Sequence, residues 1–427
     1  MNRMTGLPPQ FATVRLGTDM HLHVASTETF KRTTVAAFCR QPLAEETVAA
    51  VGLLPRVLRR GNSQWPTAMD LERELDGLYG THLGTGVQKI GDTHLSWFVL
   101  NLPGDRYLDQ PVFAKGIRIL LQTMFSPVIE GEGLKKDYVE QEKQLQVGRI
   151  RSLINNKSSW AVFRCLQHMY QDDPFRHYEL GTVEGVKALS AADLLRQHRR
   201  QTATAPIDFY VVGDVSLSEA QQALQEYTHI AGKAQEPVRT QVTSGTGESR
   251  TVVEEEVMGQ GWIVLGFRTD VRYSAPERHA MSFLNGVLGG FVHSKLFLNV
   301  REKAGLAYQA NSGYNANKGY LLAIAGIDPA KYQQALDIML KQVDDLRRGN
   351  ITAMEMDATR SRLLSRMRLT QDDAISRMMY HLTGNIEGSR ATVQETLERI
   401  AAVSKEDVIA AAQRLRLDTI YFLKGVN

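Results

Sequence analysis

VKALSAADLLRQHRRQTATAPIDFYVVGDV, residues 186 to 215, and IAAVSKEDVIAAAQRLRLDTIYFLKGVN, residues 400 to 427, carry one pattern twice. Each holds an apolar residue, a serine, an acid three positions later, a helical apolar pattern and a strand-like run that closes on glycine. In Ser190/Asp193 and Ser404/Asp407 the serine oxygen suits an early backbone N–H of a helix, and the acid answers it, so both pairs predict helix starts. The runs Ile207 to Val212 and Thr419 to Leu423 then predict strands. About 214 positions, half the chain, separate the two serines. An earlier pair supports the same division: LLPRVLRRG ending at Gly61 corresponds to FLNGVLGG ending at Gly290.

Between the halves, AGKAQEPVRTQVTSGTG (Ala231 to Gly247) is polar and rich in Gly, Ser, Thr and Gln, which marks it as a linker. The expected organisation is therefore a domain over 1–230, a linker over 231–257 and a second domain over 258–427. In each half, strand patterns mix with amphipathic helices. Leu71, Leu75 and Leu78 follow a Thr67-x-x-Asp70 start at helical spacing, whereas Leu95, Trp97 and Val99 alternate as in a half-buried strand. A tight turn at Ile90-Gly91-Asp92 predicts antiparallel pairing, and the fold class read from this is α+β, used twice, with helices on one face of each sheet.

The 427 residues exceed what one compact core usually holds. Hydrophobic residues make up 43% and charged residues 23%, enough for a sizeable core and without the composition of disorder. A formal charge of +3 argues against an extended nucleic-acid surface. The first residues show no basic segment followed by an apolar run, so no secretion signal is expected. Apolar runs such as WIVLGF from Trp262 and YLLAIAGI from Tyr320 are far shorter than the ~18–20 residues of a spanning helix. Two cysteines, Cys39 and Cys165, supply neither a disulfide framework nor a four-thiolate metal site and predict separate reduced thiols in a cytoplasmic protein.

LGGFVHSKLFLNVREKAGLAYQANSGY, from Leu288 to Tyr314, holds an Arg and a Tyr seven residues apart, Arg301 and Tyr308. A guanidinium and a phenol are donors able to hold a peptide carbonyl and an oxyanion forming at a scissile bond. On spacing alone, a solvated arginine and a packed tyrosine explain the pair better. The flanking run reverses that weighting, because it resembles the C-terminal half of the pitrilysin/insulinase peptidases, where a Gly pair, a helix and Arg-Glu-Lys-x-Gly-Leu-x-Tyr occur in that order. The resemblance covers nearly the whole chain and implies a duplicated fold in which Arg301 and Tyr308 point at bound peptide.

The same family carries an inverted zinc motif, His-x-x-Glu-His, on a helix of the N-terminal half, with a Glu as third ligand downstream. The positions that align here are Gly52, Pro55 and Arg56 in GLLPR. Glycine and proline offer zinc no side-chain lone pair, arginine repels it, and proline removes both the water-activating acid and a helical hydrogen bond. The third position falls in YVEQEKQLQVGRIRS (Tyr138 to Ser152), at Arg149, with Glu140 or Glu142 as alternative alignments. No metal is expected in this chain, and His21-x-His23, which puts two rings on one side of a strand, has no third ligand assignable from sequence. His293 beside the Gly pair reads as a helix-start polar residue or, alternatively, a substrate contact. No Gly-x-Ser-x-Gly, P-loop or dinucleotide fingerprint occurs.

The GLLPR helix is similar to the bacterial YmfF-type branch, and the resemblance extends to the inactive subunits of processing peptidases. It implies a non-catalytic, substrate-binding subunit of a heterodimeric zinc metallopeptidase. That subunit would offer Arg301 and Tyr308 in trans to a homologous zinc-bearing partner that cleaves peptide or unfolded polypeptide. Two rival classes remain: a homodimeric peptide-binding or structural scaffold, and unrelated chemistry on the same fold.

Overall fold

The computed structural model describes residues 10–227, 238, 240–243 and 247–426. The readings placed on the first nine residues and on 231–237, 239 and 244–246 of the linker lie outside the described residues. Residues Arg250–Val257, the end of that linker, form a strand. Two compact units divide the chain: Met1–Arg151 with His177–Val238, and Ser152–Arg176 with Arg239–Asn427.

In the first unit, six strands lie in the order Ala12–Arg15, Met20–Ser26, Ile207–Gly213, Arg32–Pro42, Thr93–Pro103, His82–Ile90. Met20–Ser26 runs parallel to Ile207–Gly213, and every other neighbouring pair is antiparallel. In the second unit, the order is Arg250–Val257, Arg416–Val426, Gly261–Arg268, Tyr320–Ile327, Ala307–Asn315, with the first two parallel and the rest antiparallel. Leaving aside Ala12–Arg15, the two units share one connectivity: the opening strand runs beside the closing one, and the closing strand pairs with the second. The duplication read from two capped helices is thus a duplication of topology.

The helix starts have the expected chemistry. Ser190 accepts from the Asp193 backbone N–H while Asp193 accepts from the Ser190 backbone, and Ser404 and Asp407 repeat this. Each such cap contributes ~1 kcal/mol by satisfying donors that a helix start leaves unpaired. Thr67 and Asp70 cap a third helix the same way. The strands after the repeated helices are Ile207–Gly213 and Arg416–Val426, the second longer than predicted at both ends.

Period-two alternation sorts the first unit's sheet. Leu22, Val24, Val35, Ala37, Phe98, Leu100 and Leu102 meet the helices Glu45–Leu58, Phe113–Phe125 and Ala191–Thr204 in one core. The strand Thr93–Pro103 forms as read: Phe98, Leu100 and Leu102 enter this core, while Trp97 and Val99 are half-buried on the opposite side. Both faces of that strand are apolar, so alternation marked the strand but not its inward side. Gly91, at φ 52°, allows the two-residue turn that joins Ile90 to Thr93.

The second unit's sheet is covered on both faces. Ile263, Leu265, Phe267, Leu321, Ala323, Ala325 and Phe422 face a core built with Met281, Leu284, Met339 and Val343 of its own helices. The intervening Val264, Leu322, Ile324, Tyr421 and Leu423 face the helix Lys157–Met169, through Ala161, Cys165, Leu166 and Met169. Gly266 makes room for that helix: a Cβ there would overlap the Met169 sulfur and stand 3.2 Å from the Cys165 sulfur.

Candidate functional site

The helix Glu45–Leu58 carries Gly52, Pro55 and Arg56, and it continues through Pro55 for three residues. Gly52 and Arg56, four residues apart, share one side of the helix, and Arg60 follows just beyond its end. Facing them, the helix Lys136–Asn155 contributes Glu142, Gln146 and Arg149. A Cβ on Gly52 would stand 2.8 Å from the Glu179 carbonyl oxygen, 3.1 Å from the Leu180 Cα and 3.2 Å from Gln146 Nε2. Gln146 is fully buried and donates to the Leu180 carbonyl at 3.0 Å. The place where a ligand side chain would begin is therefore occupied by backbone and by an amide.

Charge completes the exclusion. Arg60 donates to Glu142 Oε1 at 2.8 Å, and Arg149 stands 3.5 Å from Glu142 Oε2, an ion pair without a hydrogen bond. Burial pushes the Arg56 guanidinium below its usual range; Arg149 beside it lowers it further, while Glu142 and Tyr178 act the other way. The structure thus brings Arg56 and Arg149 together, and of the alternative acids it brings in Glu142, already engaged by arginines. Glu140 instead meets Lys143 at 3.1 Å. These residues do not fit zinc, and among the described residues no group of three or more His, Cys, Asp or Glu is arranged to hold a metal ion.

Arg301 and Tyr308 belong to the second unit and are brought together on its surface. Arg301 lies in a π-helical stretch, Phe297–Lys303, with its guanidinium carbon 4.7 Å from the Phe297 ring centre and 5.6 Å from that of Tyr308. Its Nε is 3.4 Å from Glu302. Tyr308 is on Ala307–Asn315, an edge strand, where the register with Tyr320–Ile327 slips between Ala307 and Gln309. The extra residue of that bulge is Tyr308, which is 84% exposed. Bulges and π-turns both re-aim side chains and recur beside functional sites. Gly305, at φ 60°, turns the chain between them. Neither irregularity was visible in the sequence, although Gly305 in REKAGLAY marks the turn. Gly289 also does more than close a helix: a Cβ there would stand 2.5 Å from the Ser312 backbone N, so its absence lets the Gly286–Gly290 turn lie on the edge strand.

The remaining candidates have structural partners. His21 and His23 share a face as predicted, and the third group there is Asp208, 3.9 and 3.3 Å away. Arg40 takes the other oxygen of that carboxylate at 2.8 Å, and His23 stacks on Tyr210. His293 contacts the Thr359 hydroxyl at 2.9 Å and stacks on Phe291. Cys39 and Cys165 are buried free thiols; burial pushes Cys39 up to about 12 and Cys165 in the same direction. Among the described residues, no helix is long and apolar enough to cross a membrane.

Residues 188–363 match the family described as peptidase M16 inactive domain. The chain is 33% identical over 410 residues to the probable inactive metalloprotease YmfF of Bacillus subtilis (strain 168), covering 95% of this chain and 96% of that one. It superposes on the crystal structure of a conserved protein from Enterococcus faecalis V583 with a TM-score of 0.93 at 27% identity, covering 98% and 99% of the two chains. A peptidase M16 inactive domain from Pseudomonas fluorescens shares the fold, with a TM-score of 0.80 at 15% identity over 98% of each chain.

Proposed function

Because this chain belongs to the peptidase M16 family as an inactive member, we propose that it is the non-catalytic, substrate-binding subunit of a heterodimeric zinc metallopeptidase. The observation that carries the reading is the Arg301–Tyr308 pair: two donors held side by side on the surface, one by a π-turn and one by a bulge, with Tyr308 84% exposed. An exposed aromatic on a bulge contributes little to folding, so its placement calls for a ligand. In this reading the guanidinium of Arg301 holds a peptide carbonyl, and the hydroxyl of Tyr308 donates to the oxygen that gains charge as the bond is attacked. A homologous partner with its own His-x-x-Glu-His motif holds the zinc and performs the attack. The compartment is the cytoplasm, a choice supported by two unpaired thiols.

The test is a mixed assay of this chain with such a partner. Tyr308→Phe leaves assembly intact and lowers turnover about 100- to 1000-fold, the effect of deleting one oxyanion donor. Arg301→Ala also raises KM. An unchanged rate with both residues replaced would leave the pair as packing and this chain as a scaffold for its partner, whereas a chain that only pairs with itself, with no cleavage in any mixture, would return the homodimeric reading.

A further inference from the structure

The residues that exclude a cation leave a site of opposite sign. Three guanidiniums, those of Arg56, Arg60 and Arg149, converge on one carboxylate, Glu142. Arg60 uses Oε1 at 2.7 Å; Arg149, at 3.5 Å from Oε2, is too far for a charge-assisted hydrogen bond. Arg56 Nε is buried and has no hydrogen-bond partner, and neither have Arg149 Nη1 and the Glu142 Oε2 that it faces at 3.5 Å. At Arg56, repulsion from Arg149 outweighs attraction from Glu142. Donors of a partly buried guanidinium left unpaired cost free energy that a bound anion recovers. The side chains of Arg60 and Arg149 are 29% and 35% exposed, so the rim of the seam meets solvent while Arg56 Nε and Arg149 Nη1 lie behind it.

We infer that this seam between Glu45–Leu58 and Lys136–Asn155 is a carboxylate-binding site for the polypeptide ligand, with Arg56 and Arg149 as the donors and Glu142 as the group that holds Arg60 aside. The inference deepens the peptide-binding reading and rests on it only for the source of the carboxylate. A polypeptide offers two such groups, the Asp or Glu side chain and the C-terminus. Planar forks of N–H donors match either one.

Arginine mapping tests it without any cleavage assay. The natural protein is labelled with phenylglyoxal, and modification at Arg56, Arg60 and Arg149 is followed by peptide mass spectrometry in the presence of three probes. N-acetylglutamate α-amide carries only a side-chain carboxylate, N-acetylglutamine only an α-carboxylate, and N-acetylglutamine amide none. At millimolar probe, labelling of Arg56 and Arg149 slows at least ~5-fold with one or both carboxylates and not with the neutral diamide. In Arg149→Gln the protection of Arg56 falls at least ~5-fold, and Arg149→Lys keeps part of it, with circular dichroism establishing that each variant is folded. Equal labelling with charged and neutral probes overturns the site, as does protection that survives in Arg149→Gln. Protection by the small carboxylates together with no binding of any peptide would keep the site and sink the peptide-binding reading instead.

Discussion

Writing a His-x-x-Glu-His motif into the helix, as Gly52→His with Pro55→Glu and Arg56→His, is expected to give a less stable protein that still binds no stoichiometric zinc. The steric part is readable at position 52, where even a methyl group would stand 2.8 Å from the Glu179 carbonyl oxygen. Overpacking of this kind costs about 1–3 kcal/mol. Replacing a helical glycine by alanine returns about 1 kcal/mol, so Gly52→Ala alone should lose roughly 0–2 kcal/mol. An imidazole must also displace Gln146, whose amide is tied to Leu180, so the triple variant loses more. The electrostatic part is larger. A divalent ion ~4 Å from the Arg149 guanidinium meets a repulsion of roughly 8 kcal/mol at an effective dielectric of 20, more than five orders of magnitude in affinity. The one nearby acid, Glu142, is already shared by Arg60 and Arg149. Metal analysis of the dialysed triple variant, with thermal melting alongside, decides the matter. One tightly held zinc per chain in a folded triple variant would refute the reasoning.

Glu142→Gln removes the carboxylate that these arginines share and should cost about 2 kcal/mol, below the 3–5 kcal/mol typical of a fully buried pair because two of the arginines reach solvent; urea midpoints measure it. Burial, opposed by the Glu179 backbone, pushes His94 down to about 4 from an unfolded value near 6.5. The unfolded chain therefore binds more protons between those values. The contribution is fully present above about pH 6.5 and lost as pH falls towards 4, amounting to ~2 kcal/mol between pH 7.5 and 5. His94→Gln should flatten that part of the urea-midpoint profile, and an unchanged slope would contradict the assignment. Ser190→Ala and Ser404→Ala should each cost about 1 kcal/mol and by similar amounts, since both remove the same cap; melting of the two variants checks this.

What the sequence made legible was local chemistry repeated in register. Ser190/Asp193 and Ser404/Asp407 specify a helix start from three residues' spacing, and the strands after them follow from periodicity. The unsuitability of Gly52, Pro55 and Arg56 as ligands was legible too, because it depends on side-chain identity. What surrounds those residues was not: Gln146 and the Glu179–Leu180 backbone reach Gly52 only through tertiary packing. The exposure of Tyr308 depends on a one-residue slip between neighbouring strands, and no pattern within Ala307–Asn315 encodes the partner's register. The inward face of Thr93–Pro103 was not legible for a related reason, since a strand apolar on both sides does not announce which one meets the helices.

The helix Lys157–Met169 lies early in the chain, yet its apolar side is satisfied by strands that come much later, the last of them reaching Leu423. During synthesis it leaves the ribosome roughly 250 residues before its surroundings are complete. At about 5–20 residues per second that is a wait of some ten to fifty seconds with Ala161, Cys165, Leu166 and Met169 bare. Newly made chain is thus exposed to aggregation and to thiol oxidation at a segment that is buried once folding ends. A fragment ending near residue 230 would carry the same bare helix permanently, so the first half expressed alone should need solubilising changes at these positions.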